Sequence, residues 1–165
     1  MEKQIILLNG PSSSGKSTLA KILKELIEEK RNEKYEIISI DDFLKMTTED
    51  VIYEDDVFEI SCALCEKVLE DLKMNHGAII DHVITSERIF NQLKDRLSLY
   101  HLHLIHVTCP LEILRKREEA RKNRCLGSAE SSYEYLFPKD GYDLTVDTYA
   151  MTAIECSVKI IEELW

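Results

Sequence analysis

The chain has 165 residues, 44% of them apolar, enough to bury one full core but too few for a separate catalytic module. Its 21 basic residues stand against 31 acidic ones, and the net charge of −10 argues against a nucleic-acid backbone or an anionic membrane as the main partner. No apolar run approaches membrane-spanning length, Met1-Glu2-Lys3 leads at once into a strand, and the scattered Cys62, Cys65, Cys109, Cys125 and Cys156 fit reduced thiols, so the expectation is a cytoplasmic protein.

Gln4-Ile5-Ile6-Leu7-Leu8 reads as a buried strand, and it runs into Gly10-Pro11-Ser12-Ser13-Ser14-Gly15-Lys16-Ser17. That stretch has the spacing of a phosphate-binding loop: Gly, four residues, then Gly-Lys-Ser. Beyond it Leu19, Ile22, Leu23, Leu26 and Ile27 fall on one helical face, so strand, loop and helix come in the order the motif requires. Small residues are needed because successive backbone N–H groups must turn inward on phosphates, where the helix N-terminus adds partial positive charge. Gly10, Ser12, Ser13, Ser14, Gly15, Lys16, Ser17 and Thr18 are therefore the nucleotide-binding candidates. Lys16 would reach the β- and γ-phosphates of ATP, and the Ser17 hydroxyl would ligate Mg²⁺. The competing reading is a Gly-Ser turn with an ordinary helix cap. Of only five glycines in the chain, two stand at the required spacing, which favours the phosphate loop.

Tyr35 to Ile40 reads as a second strand ending in Asp41-Asp42, followed by an acidic segment from Lys45 to Asp56 without a clear period. Val57, Ile60, Leu64, Val68 and Leu72 then recur at helical spacing, up to a stop at Gly77. Cys62 and Cys65 lie inside this helix with no second ligand pair near them. Ala78 to Val83 is a third buried strand, and a helix capped by Ser86 runs to about Leu97 with Ile89, Phe90, Leu93 and Leu97 inward. His101 to Thr108 is a fourth strand; His101 and His103 share a face, His106 takes the other, and no carboxylate is spaced to complete a metal site. A charged helix covers Leu111 to Arg124, a polar stretch with a short helix covers Ser128 to Gly141, Asp143 to Thr148 is a fifth strand, and a helix from about Ala150 to Leu164 closes the chain. Strands alternating with helices five times predict one α/β domain over residues 1–165, a five-stranded parallel sheet with helices on both faces.

Ligands in such sheets bind at the carboxyl ends of the strands, so the strand ends carry the chemistry. Phosphoryl transfer needs neutralised phosphates, a bound Mg²⁺ and a carboxylate to orient the acceptor hydroxyl and take its proton. Asp41 is the candidate base, against the competing reading that it caps a turn, a role left to Asp42. Asp81, following three apolar residues, is the candidate metal partner of Ser17. In the charged helix Glu112–Lys116, Arg115–Glu119 and Glu118–Lys122 are spaced as ion pairs, whereas Arg117, Arg121 and Arg124 share one face and are left mostly unpaired. A guanidinium face in so acidic a protein suggests a bound triphosphate, with the arginines on a lid spanning about 111–141; the alternative is a solvated basic face.

The run Cys109, Arg117-Glu118, Ala120-Arg121, Arg124, Gly127, then Tyr142-Asp143, Val146-Asp147-Thr148 and Ile154-Glu155-Cys156, with the opening Ile-Leu-Leu-Asn-Gly, resembles the chloramphenicol phosphotransferase family of small phosphate-loop kinases. The resemblance implies transfer of the γ-phosphoryl group of ATP to a hydroxyl of a small molecule, with Asp41 as base and Arg117, Arg121 and Arg124 on the phosphates. It also implies that Tyr142 to Thr148 lies near the nucleotide base. Two features depart from it. The segment from Phe43 to Glu59 is shorter and acidic, which suits another acceptor, a cationic one among the alternatives, and Asp81 is followed by His82 where the family tends to have a second aspartate. A nucleotide-dependent regulatory protein is the reading from a different class.

Overall fold

A computed structural model describes residues 4–44, 53–122 and 125–165. Five strands, β1 (Gln4–Asn9), β2 (Tyr35–Ser39), β3 (Gly77–His82), β4 (His101–Thr108) and β5 (Leu144–Asp147), form one sheet in the order β2-β3-β1-β4-β5, and every neighbouring pair is parallel. The connections carry α1 (Lys16–Arg31), α2 (Ile40–Leu44), α3 (Glu54–Lys73), α4 (Glu87–Arg96), α5 (Leu111–Ala120), α6 (Ser128–Tyr135) and α7 (Ala153–Leu164).

The unbroken apolar run of β1 follows from its central place, because both faces of a parallel sheet are covered. Ile5 and Leu7 pack with Ile80, Leu64, Val68 and Leu93 on the α3–α4 side. Ile6 and Leu8 pack with Leu19, Leu23, Val107 and Ile160 on the α1–α7 side. Ile5 through Leu8 are fully buried, and each such side chain stabilises the fold by about 1.5–3 kcal/mol relative to exposure. Register aligns Leu8 with Asp81, Ser39 with Asp81, Asn9 with His106 and Thr108 with Asp147, so the five strands finish on one edge. From β1 the chain moves towards β2, and from β3 it moves towards β4; the switch point therefore lies between β1 and β3, where an open α/β sheet binds its ligand.

Several boundaries differ from the sequence expectation. β2 ends at Ser39, and the chain turns directly into α2, so Asp41 and Asp42 lie in a helical first turn rather than at a strand end. α3 starts at Glu54 rather than Val57, because the Asp56 carboxylate accepts the Tyr53 N–H at 2.9 Å and Glu54, Asp55 and Asp56 meet the positive end of the helix. The left-handed residue after α3 is Asn75 (φ 63°), not Gly77. Gly77 opens β3, where a Cβ would lie 2.3 Å from the Tyr35 ring. Ser86 does precede α4, but its hydroxyl donates to Glu54 at 2.8 Å instead of capping. α5 ends at Ala120, with Arg121 extended (φ −94°, ψ 95°). α7 starts at Ala153, where Thr152 and Glu155 form a reciprocal cap. The His101 and His103 rings stack 4.2 Å apart on one face of β4, while His106, on the other, stacks on Tyr142.

Candidate active site

The loop from Gly10 to Ser17 begins where β1 touches β4. A Cβ on Gly10 would stand 2.1 Å from the Val107 carbonyl oxygen, so only glycine leaves the sheet at this point. Gly15 (φ +90°) supplies the left-handed turn into α1, and Ser13 (φ 68°) adopts a second. The loop is held by the residue that follows β5 and by α5. The Thr148 hydroxyl donates to the Ser14 carbonyl at 2.6 Å, and Arg117 donates to Thr148 Oγ1 at 3.0 Å, to the Thr148 carbonyl at 3.1 Å and to the Ser13 carbonyl at 3.4 Å. Within the loop the Ser14 N–H donates to the Pro11 carbonyl at 3.2 Å. Lys16 is 6% exposed and folds across the loop, its Nζ donating to the Pro11 carbonyl at 2.9 Å and to Ser14 Oγ at 3.3 Å. The Ser12 N–H donates to Ser132 Oγ on α6 at 2.9 Å, while the buried hydroxyl oxygens of Ser12 and Ser13 have no partner.

Beneath the loop the Ser17 hydroxyl donates to Asp81 Oδ2 at 2.7 Å, bringing together the two residues expected to share a metal. A hydroxyl and a carboxylate at a phosphate site form a hard-oxygen pair that suits Mg²⁺. Both border a cavity of about 630 Å³. Thr148, Met151, Thr152 and Ala153, which follow β5, wall one end; Ile40, Asp41 and Leu44 after β2, Val57 of α3, and Asp81, His82 and Val83 of β3 wall the other. Between them stand Ser12, Ser13, Gly15, Lys16, Ser17, Thr18, Arg117, Arg121, Ser128 and Ser132. The cavity thus gathers most of the predicted site residues, with Gly10 and Ser14 behind the loop. Arg124 lies outside the described residues, as do Glu49 and Asp50 of the acidic segment.

The expected arginine face takes another form. Arg121 has left the helix, and Arg117 is bound to Thr148 and to the loop rather than unpaired. The helical ion pairs are also replaced. Arg115 pairs with Glu130 at 2.6 Å, and the buried Glu118 carboxylate accepts the N–H groups of Gly127 (3.0 Å) and Ala129 (2.8 Å), fastening α6 to α5. Of the 142–148 segment, Thr148 reaches the cavity, whereas Tyr142 does not line it. The Tyr142 hydroxyl donates to the Pro138 carbonyl at 2.8 Å and accepts from Asn9 Nδ2 at 3.0 Å, and burial pushes its pKa up to about 12.

Three residues of this edge escape the motif reading. Asn9 is fully buried; its Nδ2 also donates to the Phe137 carbonyl, and its Oδ1 accepts the Ile84 N–H, both at 2.9 Å. It ties the end of β1 to the segments after β3 and before β5, and a polar residue closing an apolar run was the available signal. Ser132 contacts the loop from more than a hundred residues away and gives no local signal. His82 is fully buried with Nε2 3.2 Å from Ser61 Oγ, and burial depresses its pKa to about 4. A backbone hydrogen bond at Val83 works against the effect of burial without overcoming it.

A parallel sheet with a Gly-x-x-x-x-Gly-Lys-Ser loop at its switch point, and an aspartate from the neighbouring strand on the loop's serine, defines the fold of a P-loop kinase. The chain matches the family described as chloramphenicol phosphotransferase-like protein over residues 3–165, essentially its whole length, and it belongs to that family. Solved structures share the fold. An APS kinase of Mycobacterium tuberculosis, in complex with AMPPNP and APS, is 16% identical with a TM-score of 0.79, covering 99% of this chain and 98% of its own. A gluconokinase of Sinorhizobium meliloti 1021 is 17% identical with a TM-score of 0.67, covering 99% and 95%. A sugar kinase of Janibacter sp. HTCC2649 is 15% identical with a TM-score of 0.70, covering 97% and 95%. No curated protein matches the sequence. Among the described residues no helix is long and apolar enough to cross a membrane.

Proposed function

We propose that this protein is an ATP- and Mg²⁺-dependent kinase that transfers the γ-phosphoryl group to a hydroxyl of a small molecule. The observation that carries this reading is the Ser17–Asp81 contact of 2.7 Å in a cavity that Asp41 also lines. In this reading the loop N–H groups and Lys16 hold the phosphates, and Thr148, Met151, Thr152 and Ala153 enclose the rest of the nucleotide. Ser17 and Asp81 hold Mg²⁺, which neutralises phosphate charge when bound. Asp41 orients the acceptor hydroxyl from the opposite wall and accepts its proton as the oxygen attacks phosphorus. Arg121 meets the charge on the transferring group, with Arg124 as a further candidate, and α5 with α6 form the lid of the site.

The acceptor end supports a neutral molecule better than a cation. Ile40, Leu44, Val57 and Val83 give it apolar walls. Three acidic residues near it have structural uses: Glu54 accepts from Ser86, Asp55 pairs with Arg88, and Asp56 caps α3. The test is incubation with ATP, Mg²⁺ and a panel of acceptors: chloramphenicol, D-gluconate, APS, neutral polyols and amino alcohols. Mass spectrometry should find one phosphorylated product with the wild type. Asp41→Asn should bind ATP normally and lose at least about a hundredfold in kcat, the scale of a general base. Turnover near wild type in that variant rules out Asp41 as the base, and nucleotide binding without transfer to any acceptor rules out the kinase.

A further inference from the structure

Asn9 closes β1 with a carboxamide that is fully buried and spends its hydrogen bonds on two other segments of the chain. Its Oδ1 accepts the Ile84 N–H at 2.9 Å, and its Nδ2 donates to the Phe137 carbonyl at 2.9 Å and to the Tyr142 hydroxyl at 3.0 Å. The partners fix which end of the amide is which, since a peptide N–H needs an acceptor and a carbonyl needs a donor. Aspartate would set oxygen against oxygen at Phe137, and leucine would leave the Ile84 N–H without a partner. The ladder between β1 and β3 ends with His82 opposite Asn9, so the chain beyond His82 has no strand to pair with. What places it is the Asn9–Ile84 bond, together with the Phe137 N–H, which donates to the Ile84 carbonyl at 2.9 Å. Between β3 and this tie stands Val83, which lines the acceptor end of the cavity with Asp41, Leu44 and Val57. The same carboxamide pins Phe137, just beyond the end of α6.

We infer that Asn9 is a positioning residue for the acceptor: its carboxamide sets the Val83 wall and, through Phe137, registers that wall against the segment by which α6 returns to the sheet. The inference rests on the kinase reading and adds to it a residue outside the cavity. In-line transfer needs the acceptor hydroxyl held close to Asp41 and to the γ-phosphorus, and a displacement of about 1 Å in such a geometry costs up to about a hundredfold in rate. The phosphate loop has supports of its own. Gly10 packs against the Val107 carbonyl, and Arg117, Thr148 and Ser132 hold the loop without the Asn9 side chain. Loss of the carboxamide therefore falls on the acceptor and spares the nucleotide.

The test compares Asn9→Ala with Tyr142→Phe, using ATP with chloramphenicol and with D-gluconate as acceptor probes. Tyr142→Phe removes the hydroxyl that accepts from Asn9 and donates to the Pro138 carbonyl at 2.8 Å, but it leaves the Ile84 and Phe137 bonds of Asn9 in place. Both variants should melt at a lower temperature than the wild type. Asn9→Ala should lose at least about tenfold in kcat/KM for the acceptor while the Kd for ATP stays within about twofold, and Tyr142→Phe should stay within about threefold on both. The inference is overturned by unchanged acceptor kinetics in Asn9→Ala, by an equal loss in Tyr142→Phe, or by an ATP Kd that weakens as much as the acceptor constant. A second arm needs neither variant nor acceptor. Amide exchange of the wild type in graded urea should open Ile84 and Phe137 together, at one free energy, because one side chain and one peptide pair hold both. Separate opening of the two amides overturns the inference. Failure of the kinase reading is seen apart from this, as absence of transfer to any acceptor by a wild type that still binds ATP.

Discussion

Three histidines stand where burial opposes their charge. His82, His103 and His106 all have pKa values below the ordinary 6.5, in each case chiefly through loss of water; at His103 the stacked His101 adds to the effect and Asp143 opposes it. The unfolded chain then binds more protons than the folded one as pH falls below about 6.5, so stability declines with falling pH. For His82, with its folded value of about 4, the decline runs from about pH 6.5 down to about pH 4. Between pH 7.5 and pH 5 this one group should remove about 2 kcal/mol of stability, the difference between protonating a pKa of 6.5 and one of 4. Urea melts of the wild type and of His82→Asn at the two pH values measure it: the variant should lose about 2 kcal/mol less than the wild type. Equal losses would show that His82 does not set the slope. At this scale the sequence is uneven. Gly10, Lys16, Ser17 and Asp81 are legible because a phosphate site dictates both their types and their spacing. Asn9, His82 and Ser132 are not, because each takes its role from a partner on another element.

Among the elements, α5 shows where local pattern stops being sufficient. Leu111 to Arg124 contains no helix breaker, and its charges are spaced as if for a longer helix. The helix nevertheless ends at Ala120, while the Glu118 carboxylate takes the amides that open α6. A tertiary capping bond thus outweighs helical ion pairs worth a few tenths of a kcal/mol each. The strands and the other long helices follow their apolar periods because burial in the two large core clusters enforces those periods. The short α2 starts at Ile40, inside the run read as a strand, and so Asp41 moves from a strand end to a helical turn without leaving the cavity. Arg117 and Arg121 consequently separate in function. Arg117 braces the loop through Thr148 and the Ser13 carbonyl, so Arg117→Ala should weaken ATP binding about tenfold, the loss of a charged hydrogen-bond set on a phosphate cradle. Arg121 faces the cavity from outside the helix, so Arg121→Ala should lower kcat with little change in ATP affinity. Lys122, exposed and beyond the cavity lining, is the control, and Lys122→Ala should change either quantity by less than about twofold. Calorimetric titration of ATP alongside steady-state rates separates the cases; a common effect in both arginine variants would merge their roles.

In the whole molecule, five strand ends bring a compact basic group, Lys16, Arg117 and Arg121, to one cavity in a protein of net charge −10. Acidic surroundings steer free anions away, so affinity for a triphosphate has to come from contacts inside the cavity rather than from the long-range field. The proposed lid contributes to those contacts as a unit. α6 is fastened to α5 by Glu118 and by the Arg115–Glu130 pair, and α6 in turn places Ser132 on the Ser12 amide. Its apolar packing is confined to a small cluster, Cys109, Leu114 and Ala129, separate from the two large cores. Segments with few apolar contacts open more readily than the core, so the α5–α6 pair can rearrange while the sheet stays intact. Glu118→Ala should therefore leave the melting temperature nearly unchanged but speed amide hydrogen exchange over residues 127–135 at least about tenfold, because two hydrogen bonds to a carboxylate are lost. ATP should slow that exchange in the wild type and protect the same amides less in the variant, with kcat falling more than ATP affinity. If exchange over α6 is the same in both proteins, or if the loss of Glu118 unfolds the sheet together with α6, the segment is a fixed wall of the site and not a lid.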